Sequence, residues 1–239
     1  MKILVTAGAT MTPIDKVRAI TNIFHGRTGT EIAKHFALDS GNQVTLMTSN
    51  PDLIYNDQKF ICVRKLVPET FLMRFLTRKT FISVIPYKTY DELRDLMASE
   101  IRFGHYDLII HSAAVSDYTV SQVMVREGAE LKPVDNSKKI SSKHDKMYLE
   151  LVPTEKLIDK IRRDWGFKGQ LVKFKLQVGM SDEKLIRIAT KSMSDSESEL
   201  IVANCLEWSK EYAYVIGKDG RTVKVNRQEI AAEIERRLK

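Results

Sequence analysis

Short apolar segments alternate with amphipathic segments along most of the chain. Residues 2–6 form an apolar run of strand-forming residues that ends in small residues, which is typical of a strand buried on both faces. Helical periodicity begins near residue 27, with apolar positions at Ile32, Ala33 and Phe36. This alternation predicts βαβ units, in which helices connect the strands of a mainly parallel sheet.

The remaining elements continue the pattern. Strands are predicted at residues 43–48, 60–63, 82–86, 107–110, 171–176 and 199–204. Helices are predicted at residues 69–78, 90–103 and 154–163, from Ser181 onward and from Arg227 onward, with Thr89 and Thr154 as N-caps of the second and third. Residues 214–216 and 222–225 flank a glycine-containing turn and predict a C-terminal β-hairpin. We therefore expect one α/β domain covering residues 1–239.

About 20 residues separate the first strand from the first predicted helix, although such connections usually have about 2–6. This first loop follows the carboxyl end of the first strand, where α/β sheets bind their ligands. It contains many residues that could contact a phosphorylated ligand, namely Gly8, Thr10, Thr12, Asp15, Arg18, Asn22, Gly26 and Gly29. We expect the first loop to form part of a ligand site.

The end of the first loop favours anion binding. Gly26 and Gly29 flank Arg27 and Thr28 at the predicted start of the helix, where free backbone N–H groups attract phosphate. The spacing is not the G-x-G-x-x-G fingerprint of dinucleotide sites, and ordinary turn glycines would produce it equally well.

A second polar segment covers residues 119–146 and ends near Lys138-Lys139-Ile140. One interpretation is a basic loop that is simply solvated. The other is a flexible flap that closes over polyphosphate and excludes water, because it follows a predicted binding turn.

The net charge of +7 favours anionic partners. The basic residues are scattered, so the charge is only weak evidence for nucleic acid, and a phosphate-rich small ligand explains it equally well. No apolar run approaches the roughly 18 residues that a membrane helix needs, and no leader precedes the first strand. We expect a cytoplasmic protein that binds small molecules, neither nucleic acid nor membrane.

Metal ligation by the protein is not predicted. Cys62 and Cys205 are far apart, and the five histidines show no metal-ligand spacing. Two reduced thiols are the simplest interpretation of the cysteines.

Several motifs together resemble phosphopantothenoylcysteine synthetase, also called phosphopantothenate–cysteine ligase. They are Thr6-Ala7-Gly8-Ala9-Thr10, Pro13-Ile14-Asp15-x-Val17-Arg18-x-Ile20-x-Asn22, Gly26-x-x-Gly29, the run from His111 to Tyr118, Phe174-Lys175-Leu176 and Ala203-Asn204. The sequence departs from the family at Ile23-Phe24-His25. It also departs at residues 190–196, where bacterial bifunctional members have two lysines that contact triphosphate and this chain has only Lys191 nearby.

The resemblance implies a Rossmann-like fold and a stand-alone ligase of bacterial type. Such an enzyme joins 4′-phosphopantothenate to cysteine through an acyl-nucleotidylate, in coenzyme A biosynthesis. The implied catalytic residues are Asn22 and Lys139, with Lys138 as the neighbouring competitor for the lysine role. The implied substrate-binding residues are Gly8, Thr10, Arg18, Gly26, Arg27 and Gly29. The implied nucleotide-binding residues are Ala113, Ala114, Asp117, Lys139, Phe174, Lys175 and Asn204.

The resemblance also implies a homodimer and a nucleoside triphosphate that acts with Mg²⁺. CTP is expected in preference to ATP. The main alternative is a nicotinamide-dependent oxidoreductase on the same sheet. Dinucleotide sites usually have an acidic residue at the end of the second strand, whereas this chain has Thr48-Ser49-Asn50 there. A nucleic-acid-binding module is a third possibility that rests on charge alone.

Overall fold

The computed structural model describes residues 1–39, 41–64 and 80–239. The helix predicted at residues 69–78 lies outside these ranges. No helix in the described ranges is both long and apolar enough to cross a membrane.

The strands alternate with helices over much of the chain. The strands are β1 (Lys2–Ala7), β2 (Met11–Pro13), β3 (Ala19–Thr21), β4 (Gln43–Thr48), β5 (Phe60–Arg64), β6 (Thr80–Pro86), β7 (Leu108–His111), β8 (Tyr118–Glu127), β9 (Glu130–Pro133), β10 (Met147–Pro153), β11 (Gln170–Gln177), β12 (Leu200–Cys205), β13 (Tyr212–Gly217) and β14 (Thr222–Asn226). The helices are α1 (Arg27–Leu38), α2 (Asp52–Tyr55), α3 (Tyr90–Phe103), α4 (Leu157–Arg163), α5 (Asp182–Asp195) and α6 (Ile230–Leu238), and a 3₁₀ helix covers Arg227–Glu229.

Within the described ranges, nine strands form the main sheet in the order β14-β13-β12-β11-β7-β1-β4-β6-β5. The pairs from β12 through β5 are parallel, and β13 runs antiparallel to β12 and to β14. This confirms the α/β class, the mainly parallel sheet and the C-terminal hairpin. Because the parallel strands share one direction, the loops after β1, β7, β11 and β12 meet at one edge of the sheet.

Alternate residues of β1 enter two apolar layers, as the period of a strand requires. Ile3 and Val5 belong to a cluster with residues of α1 and α6, whereas Leu4 belongs to a cluster with residues of α3 and α4. A third cluster packs α5 against β12 and β13. Helices therefore cover both faces of the sheet, and most residues of its central strands β1, β4 and β7 are buried.

Most predicted elements are confirmed near their predicted bounds. Helix α1 begins at Arg27, and Thr89 caps α3 in a capping box with Glu92. The prediction that Thr154 caps the next helix is wrong. Helix α4 begins at Leu157, and the Thr154 hydroxyl instead donates to the Ser116 carbonyl at 2.6 Å.

Two small sheets were not predicted. Within the first loop, β2 and β3 pair as a short antiparallel hairpin. Residues 119–146, predicted as a polar flap, contribute to a three-stranded antiparallel sheet of order β10-β8-β9. From here on, "the flap" means this sheet and its connections, residues 118–153. Its basic loop is the segment 134–146 between β9 and β10.

Candidate active site

The first loop and the segment after β7 are joined by backbone hydrogen bonds at the carboxyl edge of the sheet. The Ala114 N–H donates to the Gly8 carbonyl at 2.8 Å, and the Thr10 N–H donates to the Ala114 carbonyl at 3.2 Å. Residues predicted to contact substrate and residues predicted to contact nucleotide therefore lie side by side.

Asn22 lies at this junction. Its Nδ2 donates to the Ala114 carbonyl at 3.0 Å, and the residue is exposed. The carboxamide has a second N–H and an oxygen, so one hydrogen bond orients the group while others can be made to a ligand. The structure thus brings Asn22 and Ala114 together, 92 residues apart in the chain.

Gly26 precedes α1 and packs against the backbone of Gly8. Gly26 has a φ of +80°, and a Cβ built there would lie 2.5 Å from the Gly8 nitrogen and 2.8 Å from its Cα. At Gly29 a Cβ would lie 2.3 Å from the Ser112 hydroxyl. The two glycines therefore let the N-terminus of α1 approach the carboxyl ends of β1 and β7, with its free N–H groups at the site edge.

We expect Gly26→Ala to lower the free energy of unfolding by about 2–4 kcal/mol, because backbone atoms of Gly8 cannot move aside as a side chain could. Gly128→Ala is the matched control. Gly128 has a φ of +62° but nothing within 4 Å of its built Cβ, so it should lose only about 1 kcal/mol. Urea unfolding of both variants measures the difference, and equal losses would contradict the close packing at Gly26.

Arg227 supports the N-terminus of α1 from the far end of the chain. Its Nη2 donates to the Thr28 hydroxyl at 2.9 Å, and its Nη1 donates to the Ser209 carbonyl at 3.3 Å. The sequence analysis named Arg227 only as the start of the last helix, and its contact with Thr28 spans 199 positions. It places a positive charge beside the first turn of α1.

Thr10 supports the site from within. It is fully buried, and its hydroxyl accepts from the Ser116 N–H at 2.9 Å. The Ala113 N–H donates to the Thr6 hydroxyl at 3.2 Å. The N–H groups of Ala113 and Ala114 are thus both used inside the protein, while the side chain of Asp117 is exposed.

Arg18 is engaged within the protein. Its Nε donates to the Asp15 carboxylate at 2.9 Å, and its Nη2 donates to the Ile140 carbonyl at 3.0 Å. Lys138 and Lys139, which precede Ile140, are both exposed. The basic loop of the flap therefore contacts the first loop through Ile140.

The remaining predicted nucleotide-binding residues lie on β11 and β12. Phe174 packs against the cluster on the α1 side, so Lys175 projects from the opposite face of the strand. Asn204 is half-buried near the end of β12 and pairs with Leu176 of β11. Phe174 and Lys175 of the Phe-Lys-Leu motif thus lie on opposite faces of the sheet.

Lys173 and His111 form an unpredicted polar pair beneath the site. They are adjacent across β11 and β7, and each is less than a tenth exposed. Burial lowers the pKa of Lys173 to about 8, and its ammonium donates to the carbonyl and hydroxyl oxygens of Ser192 at 3.0 and 2.9 Å. Burial, with the nearby charge of Lys173, lowers the pKa of His111 to about 4, so the imidazole is neutral at pH 7 and bonds the Thr6 hydroxyl.

We expect Lys173→Met to stabilise the protein by roughly 2 kcal/mol at pH 7, because it removes a buried charge. The native pKa of Lys173 is depressed, so its protonated form opposes folding below about pH 8. The advantage of the variant should therefore shrink as pH rises from about 8 toward 10.5. Urea unfolding across this range, with exposed Lys168→Met as control, measures the effect. A variant less stable than wild type at pH 7 would contradict it.

No group of three or more His, Cys, Asp or Glu side chains in the described ranges is arranged to hold a metal ion.

Comparison with known proteins identifies the family. The family described as "DNA/pantothenate metabolism flavoprotein C-terminal domain" matches residues 1–65 and 73–239. The chain belongs to this family. The resemblance drawn from the motifs between Thr6 and Gly29 and between His111 and Tyr118 is thereby confirmed.

Individual relatives agree with the family match. The DNA/pantothenate metabolism flavoprotein from Streptococcus pneumoniae has a crystal structure with 30% identity and a TM-score of 0.74, covering 99% of this chain and 97% of that one. The coenzyme A biosynthesis bifunctional protein CoaBC of Thermococcus kodakarensis is 31% identical over 212 residues, which are 86% of this chain and 41% of that protein. A Cab2 variant in complex with phosphopantothenate-cysteine shares the fold, with a TM-score of 0.68 at 18% identity, covering 99% of this chain and 86% of that one. The chain spans 41 to 50% of the length of the curated relatives it matches.

Proposed function

We propose that this family member is a phosphopantothenate–cysteine ligase that acts in coenzyme A biosynthesis. The names of its relatives support this activity, and one observation in the structure carries it. The Asn22 carboxamide bonds the Ala114 carbonyl at 3.0 Å, which joins the predicted substrate loop to the predicted nucleotide segment. A carboxylate held near Asn22 would thus lie beside a nucleotide held near Ala114.

The first step forms a mixed anhydride. A carboxylate oxygen of 4′-phosphopantothenate attacks the α-phosphorus of the nucleoside triphosphate, and the bond to the β-phosphate breaks to release pyrophosphate. Lys139 would approach the α-phosphate and stabilise the charge of the pentavalent phosphorus. The N-terminus of α1, with Arg27, would hold a phosphate group of the substrate.

The second step transfers the acyl group. The amine of cysteine attacks the acyl carbon and loses a proton, and the nucleoside monophosphate leaves with the former carboxylate oxygen. Negative charge develops on the acyl oxygen during this attack, and the second N–H of Asn22 would stabilise it. Asn22 therefore serves as an oxyanion donor whose direction is fixed by Ala114.

We further propose CTP as the preferred nucleotide. With the Ala113 and Ala114 N–H groups used internally, backbone recognition would use carbonyl oxygens, which accept from an exocyclic amino group. Cytosine and adenine both carry that group, so preference would follow from the smaller size of the pyrimidine against the chain. Mg²⁺ would arrive bound to the triphosphate, as part of the substrate.

The test is release of pyrophosphate by the purified chain with Mg²⁺, phosphopantothenate, cysteine and either CTP or ATP. We expect release to require phosphopantothenate, and phosphopantothenoylcysteine to accumulate in equal amount. The kcat/KM should be higher for CTP than for ATP, since that ratio measures specificity. Pyrophosphate release independent of phosphopantothenate would contradict the ligase activity, whereas a ratio near one would contradict only the nucleotide preference.

We also propose a homodimer. Exposed apolar side chains occupy the first loop and the neighbouring flap: Val17, Ile20, Ile23, Tyr118, Leu151 and Val152. The Thr12 hydroxyl bonds the Tyr118 carbonyl at 3.2 Å, so these surfaces adjoin. Such a patch on a globular protein commonly marks an interface.

We expect Leu151→Asp to weaken the dimer by at least tenfold in its dissociation constant, because a charge would be buried against apolar surface. Leu38→Asp is the control, since Leu38 is 67% exposed at the end of α1. Sedimentation velocity across a dilution series measures both variants. An active wild-type monomer at nanomolar concentration would contradict the proposal.

A further inference from the structure

Ile140 is the one buried residue in an otherwise exposed stretch of the flap. It is 4% exposed, whereas Ser137, Lys138, Lys139 and the residues at 141–143 are all exposed. The neighbours of Ile140 are exposed and make little contact with the rest of the protein. Ile140 therefore anchors this stretch of the loop.

Asp15 of the first loop receives the N–H of Ile140. The Asp15 Oδ2 accepts from the Ile140 nitrogen at 3.0 Å, and its Oδ1 accepts from the backbone nitrogens of Val17 and Arg18 at 2.9 and 2.8 Å. The Asp15 side chain has no exposed surface. The Arg18 guanidinium and these N–H groups hold the pKa of the Asp15 carboxyl well below its usual range, so it is ionised at neutral pH.

Arg18 binds the other backbone polar group of Ile140, which is its carbonyl. Its Nη2 donates to the Ile140 carbonyl at 3.0 Å and to the Asp15 Oδ2 at 2.5 Å, and its Nε donates to the same oxygen at 2.9 Å. The N–H and the carbonyl of one flap residue are thus both bound by one ion pair. A planar guanidinium suits this arrangement because its donors are fixed relative to one another.

We infer that Asp15 and Arg18 form a latch that fixes the backbone of Ile140 and thereby positions Lys139 at the active site. This inference rests on the proposed function, since Lys139 is a catalytic group only in a ligase. Asp15 and Arg18 are accordingly positioning residues. The family resemblance implied that Arg18 contacts substrate, whereas in the structure its Nε donates to Asp15 and its Nη2 donates to Asp15 and to Ile140 of the flap.

The latch explains how an exposed lysine can act at a defined place. A lysine side chain has four rotatable bonds, so its ammonium already samples a large volume, and motion of the backbone would enlarge that volume further. Because both the N–H and the carbonyl of Ile140 are bound, the backbone of the adjacent Lys139 is also restricted. Misplacement by about 1 Å is enough to slow catalysis strongly.

The test compares Asp15→Asn and Arg18→Lys with wild type, with Asp135→Asn as the matched control. Asp135 lies in the same basic loop, where its Oδ1 accepts from the Ser137 nitrogen at 2.9 Å. Three quantities are measured: hydrogen exchange of the Ile140 amide, the rate of tryptic cleavage after Lys138 and Lys139, and the kcat and KM for phosphopantothenate. Thermal melting shows which variants remain folded.

We expect roughly tenfold or more faster exchange and cleavage in both latch variants, because hydrogen bonds to a charged group are lost. The kcat should fall by a similar factor with little change in KM, and Asp135→Asn should match wild type. If Asp15→Asn does not fold, Arg18→Lys decides, since it keeps the charge but not the planar fork.

Unchanged exchange and cleavage would overturn the latch, whatever the ligase activity. Faster exchange with unchanged kcat would overturn its positioning role. A raised KM with normal exchange in Arg18→Lys would show that Arg18 binds substrate directly. If wild type lacks ligase activity altogether, the proposed function and the positioning role fail together, while the exchange data still decide whether the latch holds the flap.

Discussion

Asn22→Asp should lower kcat by roughly 10²-fold or more while leaving the fold intact, as expected for loss of an oxyanion donor. The new carboxylate would face the Ala114 carbonyl, which now accepts a hydrogen bond from Nδ2 at 3.0 Å. It would also repel the carboxylate of phosphopantothenate. Steady-state rates of pyrophosphate release and of product formation measure the loss.

Asn56→Asp provides the matched control for this change. Asn56 is the exposed C-cap residue of α2, and the substitution makes the same change of charge. It should retain wild-type rates. An Asn22→Asp enzyme with wild-type kcat would remove Asn22 from the mechanism.

Lys139→Gln should slow formation of the acyl-nucleotidylate by roughly 10²-fold while changing phosphopantothenate binding little. The ammonium contributes most when negative charge builds up on the α-phosphate, so its loss affects the transition state more than the ground state. Rapid-quench measurement of pyrophosphate release in the absence of cysteine isolates this step. Calorimetric titration with phosphopantothenate measures binding separately.

Lys138→Gln is the control for Lys139→Gln, because the two lysines are adjacent and both are exposed. We expect it to keep most of the rate. An inactive Lys138→Gln enzyme with a normal Lys139→Gln enzyme would show that the catalytic position is one residue earlier.

The fold could be predicted because its main elements have local causes. The buried run of β1, the amphipathic face of α1 and the capping box at Thr89 each depend on residues close together in the chain. The hairpin of β13 and β14 likewise follows from a short turn. Such signals remain visible in a single sequence because no distant partner is needed to produce them.

The small sheets had no comparable signal. In β8 and β10, most residues are exposed or half-buried, so polar and apolar positions do not alternate cleanly. Strands β2 and β3 have three residues each, too short for a period to appear. The segment 119–146 consequently read as a polar flap without regular structure.

The same distinction between local and long-range causes applies to the candidate active site. The close packing at the start of α1 had a local signal, because Gly26 and Gly29 flank Arg27 and Thr28 there. The hydrogen bonds of Arg227 to Thr28, of Asp15 to Ile140 and between His111 and Thr6 join residues more than 100 positions apart. These contacts depend on tertiary structure, which the motifs alone do not specify.

Transfer of ¹⁸O from the substrate carboxylate tests the central claim most directly. Phosphopantothenate labelled with ¹⁸O in both carboxylate oxygens is converted with CTP and cysteine. Mass spectrometry then measures the ¹⁸O content of each product. Attack on the α-phosphorus followed by aminolysis predicts one ¹⁸O in each CMP and none in pyrophosphate. Label in inorganic phosphate, with CDP as the nucleotide product, would show attack on the γ-phosphorus and contradict the acyl-nucleotidylate mechanism.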